Sequence, residues 1–272
     1  MMTQEKFCLL DRYNLAQLEE HLQSSNFGAV FEYRESITST NDRLLDMAEC
    51  GAPEGSICLA DQQTAGRGRR GSRWFSPSGG IWTSFLLRPR LAPTQIPPLT
   101  LCAANAIIMA LKEVCKLDVE IKWPNDILIQ NRKVAGILTE SRQGSKDRPI
   151  VVVGMGINVN YPQKLFPPQI TDSATSLEVE LGHQVSRQNL FLALVQFFES
   201  GYKEYLKLGP EPLISKIDSK LAWKRQLISV EKSPGFVGRI SHLAKDGGLV
   251  VKSKNSEPII IYSGSIKLAL ER

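Results

Sequence analysis

Val119–Ser141 reads VEIKWPNDILIQNRKVAGILTES, and after a short polar interval Pro149–Asn160 reads PIVVVGMGINVN. Short apolar runs rich in Val and Ile alternate here with Pro-Asn-Asp and Asn-Arg turn signals. That pattern predicts successive strands of one sheet joined by tight connections. Immediately upstream, LTLCAANAIIMALKEVC (Leu99–Cys115) is apolar on almost every face, so it is expected as a helix buried against that sheet. Further back, Ile81–Pro89 (IWTSFLLRP, stopped by Pro89), Ser56–Gln63 (SICLADQQ) and Ala29–Ser36 (AVFEYRES) read as strands. Between the last two, STNDRLLDMAEC reads as a helix starting near Ser39 or Thr40 and closed by Gly51 and Pro53.

Downstream, Ser186–Leu208 carries the apolar face of a second long helix, with a break expected at Pro210 and Pro212. Beyond LAWKRQ the chain turns to short β-type segments: QLISVEK, FVGRISHLA, GGLVVKS and PIIIYSGSIKLAL, separated by Pro-Gly, Asp-Gly-Gly and Ser-Gly signals. That spacing predicts a small all-β barrel. At the other end, Leu15, Leu18 and Leu22 stand at helical spacing in one N-terminal helix. The expected organisation is a helical segment over 1–29, a central domain over 30–221 and a β-barrel over 222–272. The fold class is α+β, with a central mixed sheet flanked by helices.

Composition narrows the function classes. The chain has 272 residues, 42% hydrophobic and 22% charged, which predicts a packed globular core. Five scattered cysteines, with no CxxC pair, argue against a disulfide framework or a zinc site and for reduced thiols in the cytoplasm. No run reaches the roughly 20 apolar residues of a membrane span, and the N-terminus is not patterned as a signal peptide. The net charge of +5 is modest and partly concentrated in one place.

That place is GRGRRGSRW, Gly66–Trp74, with Arg67, Arg69, Arg70 and Arg73 in one loop between two predicted strands. Guanidinium forks bind phosphate or carboxylate oxygens in pairs, and Gly66, Gly68 and Gly71 let the backbone approach a ligand or take positive φ. Four like charges on a glycine-rich strip also predict a loop that is mobile until it closes. The bland reading is a solvated basic turn or an RNA-binding patch. No GK[ST] follows, so it is not a phosphate-binding loop of the Walker type.

Other candidates have equally plain alternatives. Lys122, Asn125 and Asp126 stand at a hairpin tip, where Asp126 can hold a divalent cation against phosphates; Pro, Asn and Asp also suit an ordinary turn. Lys133 opens an apolar strand, either snorkelling at its end or aimed inward at an anion. Gly136, inside that strand, is either a bulge or a place of close approach. GMGINVN, with Asn158 and Asn160, is too short and wrongly spaced for a dinucleotide fingerprint.

Taken in order, STN, QTAGRGRRGSRWFSP, KWPND, RKVAGIL and GMGINVN resemble the catalytic domain of the biotin protein ligases, and VGRISHLAKDGGLVV is similar to that family's SH3-like domain. The resemblance runs from about Val30 to Leu270. It implies the family's catalytic fold, like that of class II aminoacyl-tRNA synthetases, and a two-step reaction. Biotin and ATP give biotinyl-AMP, and the biotin then passes to a lysine on the biotin carboxyl carrier domain of a carboxylase.

The resemblance also implies roles. Ser39, Thr40 and Asn41 line the ureido end of biotin, and Gln63 also faces biotin; Gly66, Gly68 and Gly136 belong to the same site. Arg67 and Arg69 contact biotin's carboxylate and the nucleotide phosphates, and Lys133 neutralises the reacting oxygens; these three are the catalytic set. Lys122, Asn125 and Asp126 lie near phosphates, with Mg2+ at Asp126, and Trp74 and Asn158 fall in the adenylate site. Ser72 departs from an arginine found in some relatives. The short N-terminal segment leaves no room for the winged-helix DNA-binding domain of bifunctional relatives, so a monofunctional ligase is expected, without a nucleic-acid or membrane partner. Exposed strand edges leave a homodimer open. A lipoate–protein ligase is the nearest rival, and a nucleic-acid-binding module using the arginine cluster is the rival from another class; the latter predicts salt-sensitive binding.

Overall fold

The computed structural model describes residues 12–144, 148–231, 236–253 and 256–269. Residues 1–11 with Cys8, and the Pro234–Gly235 turn read above, lie outside the described residues. A seven-stranded sheet is built from β1 (Phe31–Ile37), β2 (Ile57–Gln63), β3 (Ile81–Leu87), β4 (Glu120–Lys122), β5 (Asp126–Ile129), β6 (Arg132–Arg142) and β7 (Ile150–Ile157). Its order is β1-β2-β3-β7-β6-β5-β4. The β1–β2 pair is parallel and all other neighbours are antiparallel, which is the mixed sheet expected.

The hairpins follow from turn chemistry. The β5–β6 connection is a two-residue turn, Gln130–Asn131, with φ of 49° and 66°. Two positive φ values match the right-handed twist of the flanking strands, so the turn falls one residue earlier than the Asn131–Arg132 pair read from sequence. A register shift beside Lys133 marks a bulge. It falls at Val134, two residues before Gly136, which is in regular register with Asp126.

Helices cover both faces of the sheet. On one face lies α3 (Leu99–Cys115), buried along most of its length and covered in turn by α5 (Arg187–Leu208). Pro93–Cys115 is long and apolar enough to cross a membrane by composition, and here that hydrophobicity is absorbed by the core. On the other face α2 (Thr40–Glu49) packs Leu44, Leu45 and Ala48 against Cys58, Leu86 and Val152. The Ser39 side chain caps α2 by accepting from the Asp42 amide at 3.3 Å, so the helix begins where the sequence placed it.

Three details differ from the sequence reading. In α1 (Leu15–Gln23) Leu18 and Leu22 are buried but Leu15 is exposed, because α1 leans on α5 with a narrower stripe than its leucines allow. The break expected at Pro210 and Pro212 is present, since α5 ends at Leu208, but Gly209 (φ 74°) makes it and helix resumes at once: Pro210 is the N-cap of α6 (Glu211–Ile217) and Pro212 sits in its first turn, where its missing N–H is harmless. The short α4 (Leu177–Leu181), capped by Ser176, carried too little periodicity to be read.

The chain leaves this layer at Leu221 and Ala222, whose amide donates to the Ile121 carbonyl on β4. It then forms a five-stranded antiparallel sheet from β8 (Leu227–Val230), β9 (Val237–Leu243), β10 (Leu249–Ser253), β11 (Ser256–Ile261) and β12 (Ile266–Leu268), in the order β11-β10-β9-β8-β12. This is the small β unit the last fifty residues predicted. Its turns face the β4–β5 hairpin: Trp123 Nε1 donates to the Gly247 carbonyl at 3.1 Å.

Candidate active site

A cleft of about 300 Å3 opens on the α2 face of the sheet, at the ends of β2, β3, β5, β6 and β7. Its floor is β6 and β7, where Gly136 pairs with Gly156 and Leu138 with Gly154. These glycines are there for space. A Cβ on Gly136 would lie 2.8 Å from the Trp74 ring and one on Gly156 2.5 Å from Trp74 Nε1, so the indole lies directly on the strands. A Cβ on Gly154 would lie 2.1 Å from Asn41 Oδ1. Close approach, not a bulge, is the reason for Gly136.

One end of the cleft is a chain of neutral polar groups. Thr40 donates its backbone N–H (2.9 Å) and hydroxyl (3.2 Å) to Gln63 Oε1, and Gln63 Nε2 donates to Ser76 Oγ at 3.0 Å. Ser84, fully buried on β3, reaches Asn41 Oδ1 at 2.6 Å and Thr40 Oγ1 at 2.7 Å. Such a wall presents donors and acceptors without net charge, which suits a neutral polar headgroup.

The other end is cationic. Gly66–Trp74 folds back on itself: an Arg67–Arg73 bridge, Gly68 N donating to Ser72 O at 2.7 Å and Trp74 N donating to Gly66 O at 2.8 Å. Of its glycines Gly71 alone takes positive φ, with Arg70 (55°) beside it. The Arg67 guanidinium lies on Glu140 and Asp42, with contacts of 2.5 to 3.0 Å. Arg69 Nη1 donates to Asn125 Oδ1 (3.0 Å) and to the Gly264 carbonyl (3.2 Å), bringing the second sheet to the rim. Burial first, then repulsion from Arg70, hold its pKa below the ordinary arginine value, against the pull of Asp126. Lys133 Nζ stands 2.6 Å from Asp126 Oδ1, an ionic contact without hydrogen-bond alignment, and 4.6 Å from the Trp74 ring centroid.

The residues named from sequence therefore meet. Ser39, Thr40, Asn41, Gln63, Arg67, Gly68, Arg69, Trp74, Asn125, Asp126, Lys133, Gly136 and Asn158 all line this cleft. Gly66 stands behind it, packed on Ser76 and Trp74. Lys122 does not line it: its ammonium lies 5.0 Å from the Trp223 ring centroid, and burial lowers its pKa. Asn158 is buried and fully engaged, donating to the Thr175 and Lys133 carbonyls and accepting from Tyr161.

Sequence reasoning missed Ser84, Glu140 and the apolar wall of Phe166 and Ile170. Counting by twos along β6 from Gly136 gives Leu138 and Glu140 on the cleft face, so Glu140 was within reach. Ser84 in the apolar run IWTSFLL was the other available signal. Among the described residues no cysteine lines the cleft, and burial pushes Cys58 and Cys102 up to about 12 and Cys115 to about 11, far from a thiolate nucleophile.

Residues 33–158 match the model of the biotin/lipoate A/B protein ligase family. The chain is 35% identical to the bifunctional ligase/repressor BirA of Bacillus subtilis over 256 residues, which are 91% of this chain and 76% of that protein. It is also 35% identical to the biotin–[acetyl-CoA-carboxylase] ligase of Paracoccus denitrificans, over 59% of this chain and 68% of that protein. Among solved structures, biotin protein ligase from Aquifex aeolicus in complex with biotin and ATP superposes with a TM-score of 0.77 at 30% identity, covering 89% of this chain and 99% of that one. Cleft, fold and relatives agree, and the chain belongs to the biotin protein ligases of the biotin/lipoate A/B protein ligase family.

Proposed function

We propose that this chain activates biotin with ATP to give biotinyl-5'-AMP and pyrophosphate, then transfers the biotin to a lysine of a biotin carboxyl carrier domain. The observation that carries this reading is the pairing, in one cleft, of a neutral polar end at Asn41, Thr40 and Gln63 with a cationic end at Arg67, Arg69 and Lys133. The first fits an uncharged ureido ring; the second fits the place where a carboxylate must meet a triphosphate.

The two anions repel, so the first step needs fixed positive charge where negative charge gathers. A biotin carboxylate oxygen attacks the α-phosphorus, the bond from that phosphorus to the oxygen bridging the α- and β-phosphates breaks, and pyrophosphate leaves. Lys133 and Arg69, held by Asp126 and Asn125, are the cations placed for that developing charge. In the second step an amine attacks the mixed anhydride, and AMP leaves as the amide forms. Neither step calls for a covalent enzyme intermediate.

Asp126 is the one carboxylate among the residues described as lining the cleft. Mg2+ is commonly held by one or two carboxylates together with substrate phosphates, so the residue fits the ion; bound there, Mg2+ would screen phosphate charge. Lys122, outside the cleft, acts through its position beside Asp126 rather than as a direct phosphate ligand. Asn158 acts by holding the Lys133 carbonyl and the Thr175 segment in place, and Trp74, with a buried Nε1 lacking a hydrogen-bond partner in the structure, covers the floor at the adenylate.

The reading includes three wider proposals. The division of labour is a catalytic domain over residues 30–221 and a β domain over 222–272. The site is that of a cytoplasmic ligase that takes no nucleic acid there, the loop guanidiniums of Arg67 and Arg70 being engaged by Asp42, Glu140 and Glu231. The exposed edge strand β1 is where a second copy would pair in a homodimer. The deciding experiment for the chemistry is ATP–pyrophosphate exchange: it should depend on biotin and be silent with lipoate, and exchange supported by lipoate alone would overturn the substrate assignment.

A further inference from the structure

Glu140 has no part in the chemistry just described, yet it touches both ends of the cleft. It lies on β6, on the same face as Gly136 and Leu138. Arg67 Nη1 donates to its Oε1 at 3.0 Å and Arg67 Nη2 to its Oε2 at 2.8 Å, a fork-on-carboxylate pair. The same Oε2 accepts from Asn41 Nδ2 at 2.8 Å. Asn41 is 5% exposed and its amide is completely specified: Nδ2 also donates to the Leu138 carbonyl at 3.2 Å, and Oδ1 accepts from Ser84. Asp42, the other acid on Arg67, touches no group of the headgroup wall and is more open to solvent, at 44% against 25% for Glu140.

A carboxylate placed behind the walls of a site for two anions is electrostatically unfavourable unless it does something there. Placed here it converts a floppy loop arginine into a fixed one, and it does so from the residue that also sets the Asn41 amide. We infer that Glu140 is a positioning residue that ties the headgroup wall to the arginine loop, so that the loop stays closed over the reaction intermediate while Asn41 is held in its binding orientation. This rests on the reading above that the cleft makes and retains biotinyl-AMP. The charge is needed for one task and an acceptor oxygen for the other, so the two separate by substitution.

Glu140→Gln keeps an oxygen for Asn41 Nδ2 and loses the charge that holds Arg67. Release of biotinyl-AMP, followed by stopped-flow chase with unlabelled intermediate, should be about tenfold faster than in the wild type, while the Kd for biotin changes by less than about twofold. Glu140→Ala loses both contacts and should in addition weaken biotin about tenfold. In an Arg67→Ala background Glu140→Gln should change release by less than about twofold, because its partner is gone. Thermal midpoints report folding of each variant; should Glu140→Ala not fold, the glutamine variant and the Arg67 cycle carry the test alone. Wild-type release in Glu140→Gln overturns the inference, as does an undiminished effect in the Arg67→Ala background, which would mark Glu140 as scaffold. A wild-type protein that makes no biotinyl-AMP sinks the functional reading itself, and the inference with it, before any variant is compared.

Discussion

Replacing Lys133 by methionine tests the cationic end of the cleft with little change in shape. Methionine keeps most of the stem and removes the ammonium, which faces Asp126 Oδ1 and lies over the Trp74 ring. A unit charge about 4 Å from a phosphate oxygen, at an effective dielectric near 20, interacts by roughly 4 kcal/mol. The Lys133 side chain is 29% exposed, so solvent screens part of that, leaving about 2–4 kcal/mol of transition-state stabilisation. At 1.36 kcal/mol per factor of ten, kcat/KM for adenylation should fall roughly 30- to 1,000-fold. Because the charge matters most where carboxylate and phosphate oxygens crowd, kcat should fall more than KM rises. The assay is biotin-dependent pyrophosphate release at varied ATP and biotin. A kcat/KM within about threefold of wild type, in a folded protein, would refute the role given to Lys133.

Two further outcomes follow from packing and from titration. Gly156→Ala places a methyl 2.5 Å from Trp74 Nε1, so the indole must lift off the floor; adenylation should drop about tenfold with a stability cost of roughly 1–3 kcal/mol, and unchanged kinetics would show that Trp74 does not shape the site. Glu199 docks α1 on α5: burial pushes its carboxyl up, but bonds from Lys203, Ser25 and Asn26 outweigh that and bring it from 4.5 to about 2. The charged form is the one favoured on folding, so its contribution is full above pH 4.5 and is lost as pH falls toward about 2. Glu199→Gln should lower the thermal midpoint at neutral pH and narrow its gap to wild type through that acid window; a constant gap would contradict the assignment.

Much of the central layer was legible because its signals are local. VEIKWPNDILIQNRKVAGILTES carries its turns and apolar runs in plain view, and Ser39 announces α2 by its own cap. The arginine loop could be read as an anion cradle from residue chemistry alone, and its arginines at 67 and 69 do border the cleft. What stayed hidden was set by tertiary geometry. Lys122 sits at the same hairpin tip as Asp126, yet its side chain turns to Trp223, a residue a hundred positions away. Leu15 obeys helical spacing but finds no partner on α5. Gly154 and Gly156 looked like a weak motif because their purpose, seating Asn41 and Trp74, belongs to residues far along the chain. Alternation along β6 could place Glu140 on the cleft face, but its pairing with Arg67, shared with Asp42, was hidden for the same reason: the two acids meet the arginine from different elements.

The account stands on charge gathered from the loop and the β5–β6 hairpin making biotin and ATP react for transfer to a protein lysine. The most direct measurement is label transfer from biotin to a purified biotin carboxyl carrier domain, with ATP and Mg2+ supplied. The account predicts amide-linked label on one lysine, dependent on ATP and abolished when that lysine is replaced by arginine. No transfer by the folded wild-type protein, with all components present and the carrier competent for a known ligase, would contradict it.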